Sequence, residues 1–159
     1  MFDRNKKNQK TQICRYIVSI HFKKSSLFLG KHFSISGIVQ YGCQKGRQLG
    51  FPTANISIHP SFIIIRGVYA VKIIIGNKKK KILFGVANIG IKPTFFQKKL
   101  LLEVYIFNIN SNLYGKKITI FLMKKIRNEK IFFSLKSLKK QIKTDIIETK
   151  NFFFKQTTL

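Results

Sequence analysis

Neutral oxygen side chains lie close together in the segment GRQLGFPTANI, residues 46–56. Pro52 fixes its own backbone angle and favours an extended chain around it. Side chains alternate in an extended chain, so Thr53 and Asn55 share one face. A hydroxyl and an amide oxygen are hard ligands, and magnesium that already bridges nucleotide phosphates needs only one or two ligands from a protein. Thr53 and Asn55 are therefore candidate magnesium ligands.

The residues just before this pair could contact phosphate. Gly42 and Gly46 flank a turn that carries Lys45 and Arg47. Glycine lets backbone amides come close to a phosphate, and the cations add charge-assisted hydrogen bonds. The same residues also fit an ordinary Gly/Pro turn with local asparagine hydrogen bonds. The segment has neither the Walker A nor the dinucleotide glycine motif, so spacing alone leaves both interpretations open.

Glu103 is the one acid that lies inside an apolar strand pattern, LLLEVYI. Alternation puts Leu102 and Val104 on one face of that strand and Glu103 on the other. A carboxylate among apolar groups is costly unless it is paired or has a chemical task. Glu103 is therefore a candidate general base. An edge strand whose polar face lies in water would explain it equally well.

The charge of the chain is extreme, since 31 Lys and Arg face 5 Asp and Glu, for a formal net charge of +26. Contacts with nucleic-acid phosphates would explain it, and so would a compositional bias toward Lys, Ile, Asn and Phe. The lysines are dispersed, which favours the bias and predicts only non-specific attraction of nucleic acid and other polyanions. The length of 159 residues predicts one domain.

Signals for a membrane, a secretory pathway or a structural metal are weak. The apolar runs are much shorter than the roughly 20 residues that cross a bilayer, and no apolar stretch follows the basic N-terminus. Cys14 and Cys43 form no CxxC pair, and the three histidines lack zinc-site spacing. We therefore expect a cytoplasmic protein.

Short apolar strands separated by Gly/Asn turns predict an antiparallel sheet or a small barrel. After a first strand in SISGIVQ, strand patterns cover residues 67–75, 81–90, 100–109 and 113–126. Gly76 and Asn77 predict a hairpin turn. The period then becomes helical in SLKSLKKQIKTDIIETK, with Ser134 as the N-cap. The apolar face of this helix comprises Leu135, Leu138, Ile142 and Ile146.

Six sequence blocks in a fixed order carry a family resemblance. They are GRQLGFPTANI, GVYAV, GVANIGIKPTF, LEVYIFN, LYGKKI and KIRNEKIFFSLKSLKKQIKTDI. Over about residues 34–150 the chain resembles bacterial riboflavin kinase, the C-terminal module of the bifunctional flavokinase/FAD synthetase. The resemblance implies a mainly β fold, a six-stranded antiparallel Greek-key barrel with a C-terminal α-helix.

The resemblance also implies an activity, the magnesium-dependent transfer of the ATP γ-phosphoryl group to riboflavin, with FMN as the product. The implied general base is Glu103. The implied site residues are Gly42, Arg47 and Thr53 for ATP, Thr53 and Asn55 for magnesium, and Arg127 and Phe132 for the flavin. Three positions depart from the usual family residues, namely Tyr105, Asn108 and Asn128.

The ends of the chain lie outside the resembling region. We interpret residues 1–33 as a linker or remnant of an adenylyltransferase domain, and residues 151–159 as a C-terminal tail. Since the core of that domain is missing, we do not expect FAD synthesis by this chain. We expect a monomer. The alternative functions are a non-catalytic flavin-binding remnant and a basic small barrel that binds nucleic acid.

Overall fold

The computed structural model describes residues 33–42, 44–76, 81–93 and 98–157. Within these residues it contains six strands, two α-helices and one 3₁₀ helix. In chain order they are β1 (Ser34–Ile38), α1 (Lys45–Gln48), β2 (Ala54–Ser57), the 3₁₀ helix (Pro60–Ile65), β3 (Gly67–Ile75), β4 (Ile82–Pro93), β5 (Lys98–Ile106), β6 (Lys117–Arg127) and α2 (Leu135–Thr157). No helix among the described residues is long and apolar enough to span a membrane.

The six strands form one antiparallel sheet that nearly closes into a barrel. Their spatial order is β1-β6-β3-β4-β5-β2. Strands β3, β4 and β5 pair with their neighbours in sequence, and β6 returns to lie beside β3, which is the Greek-key arrangement. The two sheet edges meet where the Gln40 amide donates to the Asn55 carbonyl oxygen at 2.8 Å. The predicted fold class is confirmed.

The barrel interior is filled by the inward side chains of every strand. On β5, Leu102, Val104 and Ile106 point inward, as their alternation predicts. On β2, Ala54 and Ile56 do the same. Each strand therefore has one face committed to the core, and its alternate residues are left for the outer face of the barrel.

Several element boundaries match the sequence pattern, and others do not. Strand β3 has the predicted bounds, and Gly76 after it has a φ of 68°; Asn77 lies outside the described residues. Strand β6 begins four residues later than the pattern at 113, because Gly115 makes a turn with a φ of 75°. The pattern did not predict the short α1 helix or the 3₁₀ helix.

Helix α2 begins at its predicted cap. The Ser134 hydroxyl accepts a hydrogen bond from the Ser137 amide at 3.1 Å, which satisfies one of the free donors of the first turn. The helix runs to Thr157, seven residues beyond the predicted domain end, because Phe153 is buried with its ring 4.5 Å from the ring of Phe84. Of the predicted apolar face, Leu135 is exposed instead.

An ion pair fixes α2 on the outer face of the sheet. The Arg127 guanidinium on β6 donates to both carboxylate oxygens of Asp145 at 2.9 and 2.8 Å. Gln141 donates to the same carboxylate at 2.9 Å. The side chains of Arg127 and Asp145 are only 15% and 4% exposed, so a bidentate pair in a largely dry setting determines the position of the helix.

Replacing Asp145 by Leu is expected to destabilise the protein by about 3 kcal/mol, because it leaves the Arg127 guanidinium without its partner. The double variant Arg127→Leu/Asp145→Leu should recover part of this loss. The matched control is Glu148→Leu on the same helix, which breaks an exposed pair with Lys124 on β6 (3.9 Å). This variant should cost less than about 1 kcal/mol. Urea unfolding measures all three, and equal losses for the two single variants would contradict the assignment.

Candidate active site

A row of outward side chains crosses five strands of the barrel. Asn55 on β2 is opposite Glu103 on β5, which is opposite Asn88 on β4. Asn88 is opposite Val68 on β3, which is opposite Arg127 on β6. Directly opposed residues of antiparallel strands share a face and lie side by side. Because β5 lies between β4 and β2, the alternative that Glu103 belongs to an edge strand is wrong.

A cavity of about 330 Å³ lies between this outer face and helix α2. Its apolar walls come from both layers and are formed by Leu49, Phe51, Val68, Val86, Phe132, Leu138, Ile142 and Ile146. Thr53, Asn88, Glu103 and Glu129 add polar groups to the lining. A mostly apolar pocket with a few convergent polar groups is typical of a small-molecule site.

A second cavity of about 730 Å³ lies near the loop between β1 and β2. Arg47 lines it, and so do the polar residues Asn110, Ser111 and Asn112. Two stacked rings, Tyr41 and Tyr114, also belong to its lining, with centroids 3.9 Å apart. Thr53 lines both this cavity and the smaller one. A substrate in each cavity could therefore approach the other at Thr53.

The β1–β2 loop lies close to β2 at two glycines, where there is no room for a side chain. A Cβ atom at Gly42 would lie 2.5 Å from the Asn55 amide nitrogen and 3.0 Å from its oxygen. A Cβ atom at Gly46 would clash with the Phe51 carbonyl and lie 3.3 Å from the Thr53 hydroxyl. The main chain at both glycines therefore approaches the candidate magnesium ligands as only glycine permits.

The side chains at the end of this loop fit a magnesium ion that is shared with phosphates. Asn55 is only 9% exposed, and its amide nitrogen donates to the Thr53 carbonyl at 3.3 Å. Its amide oxygen and the Thr53 hydroxyl are neutral hard donors, which suit a magnesium ion whose charge is balanced by phosphate. Among the described residues no three His, Cys, Asp or Glu side chains form a metal cluster.

The structure brings most of the predicted site residues together. Thr53, Glu103, Arg127 and Phe132 line the smaller cavity, and Arg47 joins Thr53 in the larger one. Gly42 and Asn55 pack against each other beside Thr53. The Arg127 guanidinium lies 5.8 Å from the centre of the Phe132 ring, but its nitrogens bind Asp145 and the Asn128 carbonyl. The role of Arg127 toward a flavin stays a prediction.

Four charged or amide residues of the smaller cavity were missed by the sequence patterns: Asn88, Glu129, Lys130 and Asp145. Asp145 lies three residues after Ile142 on the apolar stripe of the helix, and an acid there is a signal for a buried partner. Asn88 alternates outward in the β4 pattern, but only strand register reveals its pairing with Glu103. Glu129 follows a strand end and had no comparable signal.

The family model and the curated relatives agree on one family. The family model described as riboflavin kinase matches residues 29–153. A bifunctional riboflavin kinase/FMN adenylyltransferase of Buchnera aphidicola from Acyrthosiphon pisum is 46% identical over 155 residues, which are 96% of this chain and 49% of that protein. The chain thus spans about half the length of this curated relative.

Two solved structures resemble the chain. The Trypanosoma brucei riboflavin kinase structure aligns with a TM-score of 0.55 and 24% identity, covering 77% of this chain and 80% of that one. This likeness supports the fold. A structure titled macrolide-efflux protein from Streptococcus pneumoniae aligns with a TM-score of 0.70 and 29% identity, covering 85% of this chain and 44% of that one.

Gly42→Ala is expected to destabilise the protein by about 1–3 kcal/mol, because the added methyl group would overlap the buried Asn55 amide. It should also weaken the binding of a magnesium nucleotide, since the amide oxygen would move. Thermal unfolding and nucleotide titration measure the two effects. Gly90→Ala is the control, because the atom it would meet is the end of the flexible Glu129 side chain. Equal behaviour of the two variants would contradict the prediction.

Proposed function

The chain belongs to the riboflavin kinase family, and we propose that it transfers the γ-phosphoryl group of ATP to the 5′-hydroxyl of the ribityl chain of riboflavin, giving FMN. One observation carries the proposal. Thr53 lines both cavities, and Glu103 lines the smaller one with it. Phosphoryl transfer needs two substrates that meet in line at one point, beside one group that accepts a proton.

ATP would occupy the larger cavity. Arg47 is an exposed cation in its lining and can bind phosphate oxygens. The stacked Tyr41 and Tyr114 rings offer an aromatic surface, and the polar residues Asn110–Asn112 offer amide and hydroxyl groups to a purine. Gly42 and Gly46 keep the loop amides close to Thr53, where the γ-phosphate would lie.

Riboflavin would occupy the smaller cavity. Its flat ring system is apolar on both faces, and Phe132 with the inner side of α2 provides a matching wall. Arg127 supports this wall through Asp145, so its contribution includes the position of the helix. The ribityl chain would then lead from the apolar end of the cavity to Glu103 and Thr53.

The proposed reaction uses Glu103 as the general base. Its carboxylate accepts the proton of the riboflavin 5′-hydroxyl as that oxygen forms a bond to the γ-phosphorus of ATP. The bond between the γ-phosphorus and the β–γ bridging oxygen breaks, and its electron pair leaves with ADP. Arg47 and the loop amides stabilise the charge on the phosphate oxygens.

Thr53 and Asn55 would hold magnesium together with the nucleotide phosphates. When bound, the ion supplies neutralisation of phosphate charge. The donor set supports this assignment, because both side chains offer neutral oxygens and Thr53 lines both cavities. Asn55 contributes from a buried position against Gly42, so its amide is held in one orientation.

We further propose that the chain acts as a cytoplasmic monomer and attracts nucleic acid only non-specifically. The compartment rests on the cysteine pattern, since Cys14 and Cys43 have no disulfide spacing. The adenylyl transfer named for the bifunctional relative is not part of the proposal.

Glu103→Gln is expected to lower kcat about 10²- to 10⁴-fold, because the amide cannot accept the hydroxyl proton. Riboflavin affinity should be retained, since the side chain keeps its shape. Formation of FMN from riboflavin and MgATP measures kcat, and quenching of flavin fluorescence measures affinity. Glu148→Gln, on an acid that lines neither cavity, is the control and should keep full activity.

The outcomes separate the alternatives. Wild-type turnover in Glu103→Gln would overturn the assignment of the base. Flavin binding by the wild-type protein without FMN formation would identify a non-catalytic flavin binder. Binding of nucleic acid with a steep dependence on salt, and no binding of riboflavin, would identify a polyanion-binding barrel instead.

A further inference from the structure

We infer that Asn88 is the residue that recognises the ribityl chain, and therefore distinguishes riboflavin from flavin rings that lack it. The inference rests on the proposed function. It adds a specificity residue to which the sequence analysis gave no role. Asn88 stands on β4 directly opposite Glu103 and lines the smaller cavity. Neighbouring strands lie about 4.8 Å apart, so Asn88 is one strand away from the proposed base.

The order of the outward residues across the sheet indicates which part of riboflavin lies at Asn88. From β5 the row passes from Glu103 to Asn88 and then to Val68. The reacting 5′-hydroxyl must lie at Glu103, and the apolar ring system must lie against Val68, Val86 and the α2 wall. The secondary hydroxyls of the ribityl chain lie between these two ends of riboflavin, where Asn88 stands.

Four charged groups that line this cavity already have partners. Arg127 and Asp145 bind each other at 2.8 Å. Glu129 pairs with Arg66 at 3.7 Å, and Lys130 donates to Gln141 at 3.4 Å. Among the described residues that line this cavity, Asn88 has the only side-chain amide. A neutral amide can both donate to and accept from a hydroxyl, so it suits an uncharged polyol.

The orientation of the Asn88 amide supports this assignment. Its nitrogen lies 3.4 Å from the point where a Cβ atom of Gly90 would be, and a carboxylate oxygen of Glu129 lies beside the same point. The amide nitrogen is therefore on the side of Glu129. The proposed role uses the amide oxygen, which can accept a hydrogen bond from a ribityl hydroxyl.

Two ligands test the inference. Riboflavin carries the ribityl chain, whereas lumiflavin has the same ring system with a methyl group in its place. In Asn88→Ala, loss of one neutral hydrogen bond should weaken riboflavin binding about 3- to 10-fold, while lumiflavin binding stays unchanged. The KM for riboflavin should rise by a similar factor, and the KM for MgATP should not. Titration of flavin fluorescence and steady-state kinetics measure these values.

A conservative variant and a control complete the experiment. Asn88→Ser keeps a hydroxyl and should lose less riboflavin affinity than Asn88→Ala, and it decides the question if the alanine variant fails to fold. Asn151→Ala, exposed on α2 and outside both cavities, should change nothing. Equal weakening of both ligands, or of neither, would overturn the inference. Failure of the wild-type protein to form FMN would overturn the proposed function instead, because the comparison of the two ligands needs no turnover.

Discussion

The pairing of β5 with its two neighbours is the constraint on which the site depends. In one register this pairing aligns Glu103 with Asn55 on one side and with Asn88 on the other. The same register turns Leu102 and Val104 into the barrel, where they are fully buried. The free energy of core burial and the alignment of the polar row are therefore set by the same hydrogen bonds between strands.

The molecule uses both faces of one sheet, and it uses them differently. The interior holds the apolar core, and most of the folding free energy comes from burial there. The outer face carries the smaller cavity, which needs a second layer, helix α2, as its wall. The larger cavity also contacts inward residues of the barrel, since Ala54, Val104 and Ile106 belong to its lining. The bidentate contact between Arg127 and Asp145 holds this second layer. A part of the site thus depends on an interaction between two residues that are 18 positions apart in sequence, and not on the barrel alone.

Much of this arrangement follows from local sequence patterns, because alternation and helical period act over a few residues. The outward position of Glu103, the bounds of β3 and the cap at Ser134 are of this kind. The residues that contact them in the folded chain do not follow from local patterns. Asn88 and Asp145 meet Glu103 and Arg127 through strand register and helix docking, which depend on the closure of the whole barrel. The position of Thr53 between two cavities also depends on barrel closure, so no short sequence pattern predicts it.

The alternation along β5 also limits how this part of the chain can evolve. Substitutions can change either face of the strand separately, because inward and outward positions never exchange neighbours. An insertion or deletion of one residue between Leu100 and Ile106 is different, since every later side chain would turn to the opposite face. Glu103 would enter the apolar interior, or the leucines would enter the cavity. The strand can therefore accept substitutions, but it cannot accept a change in length.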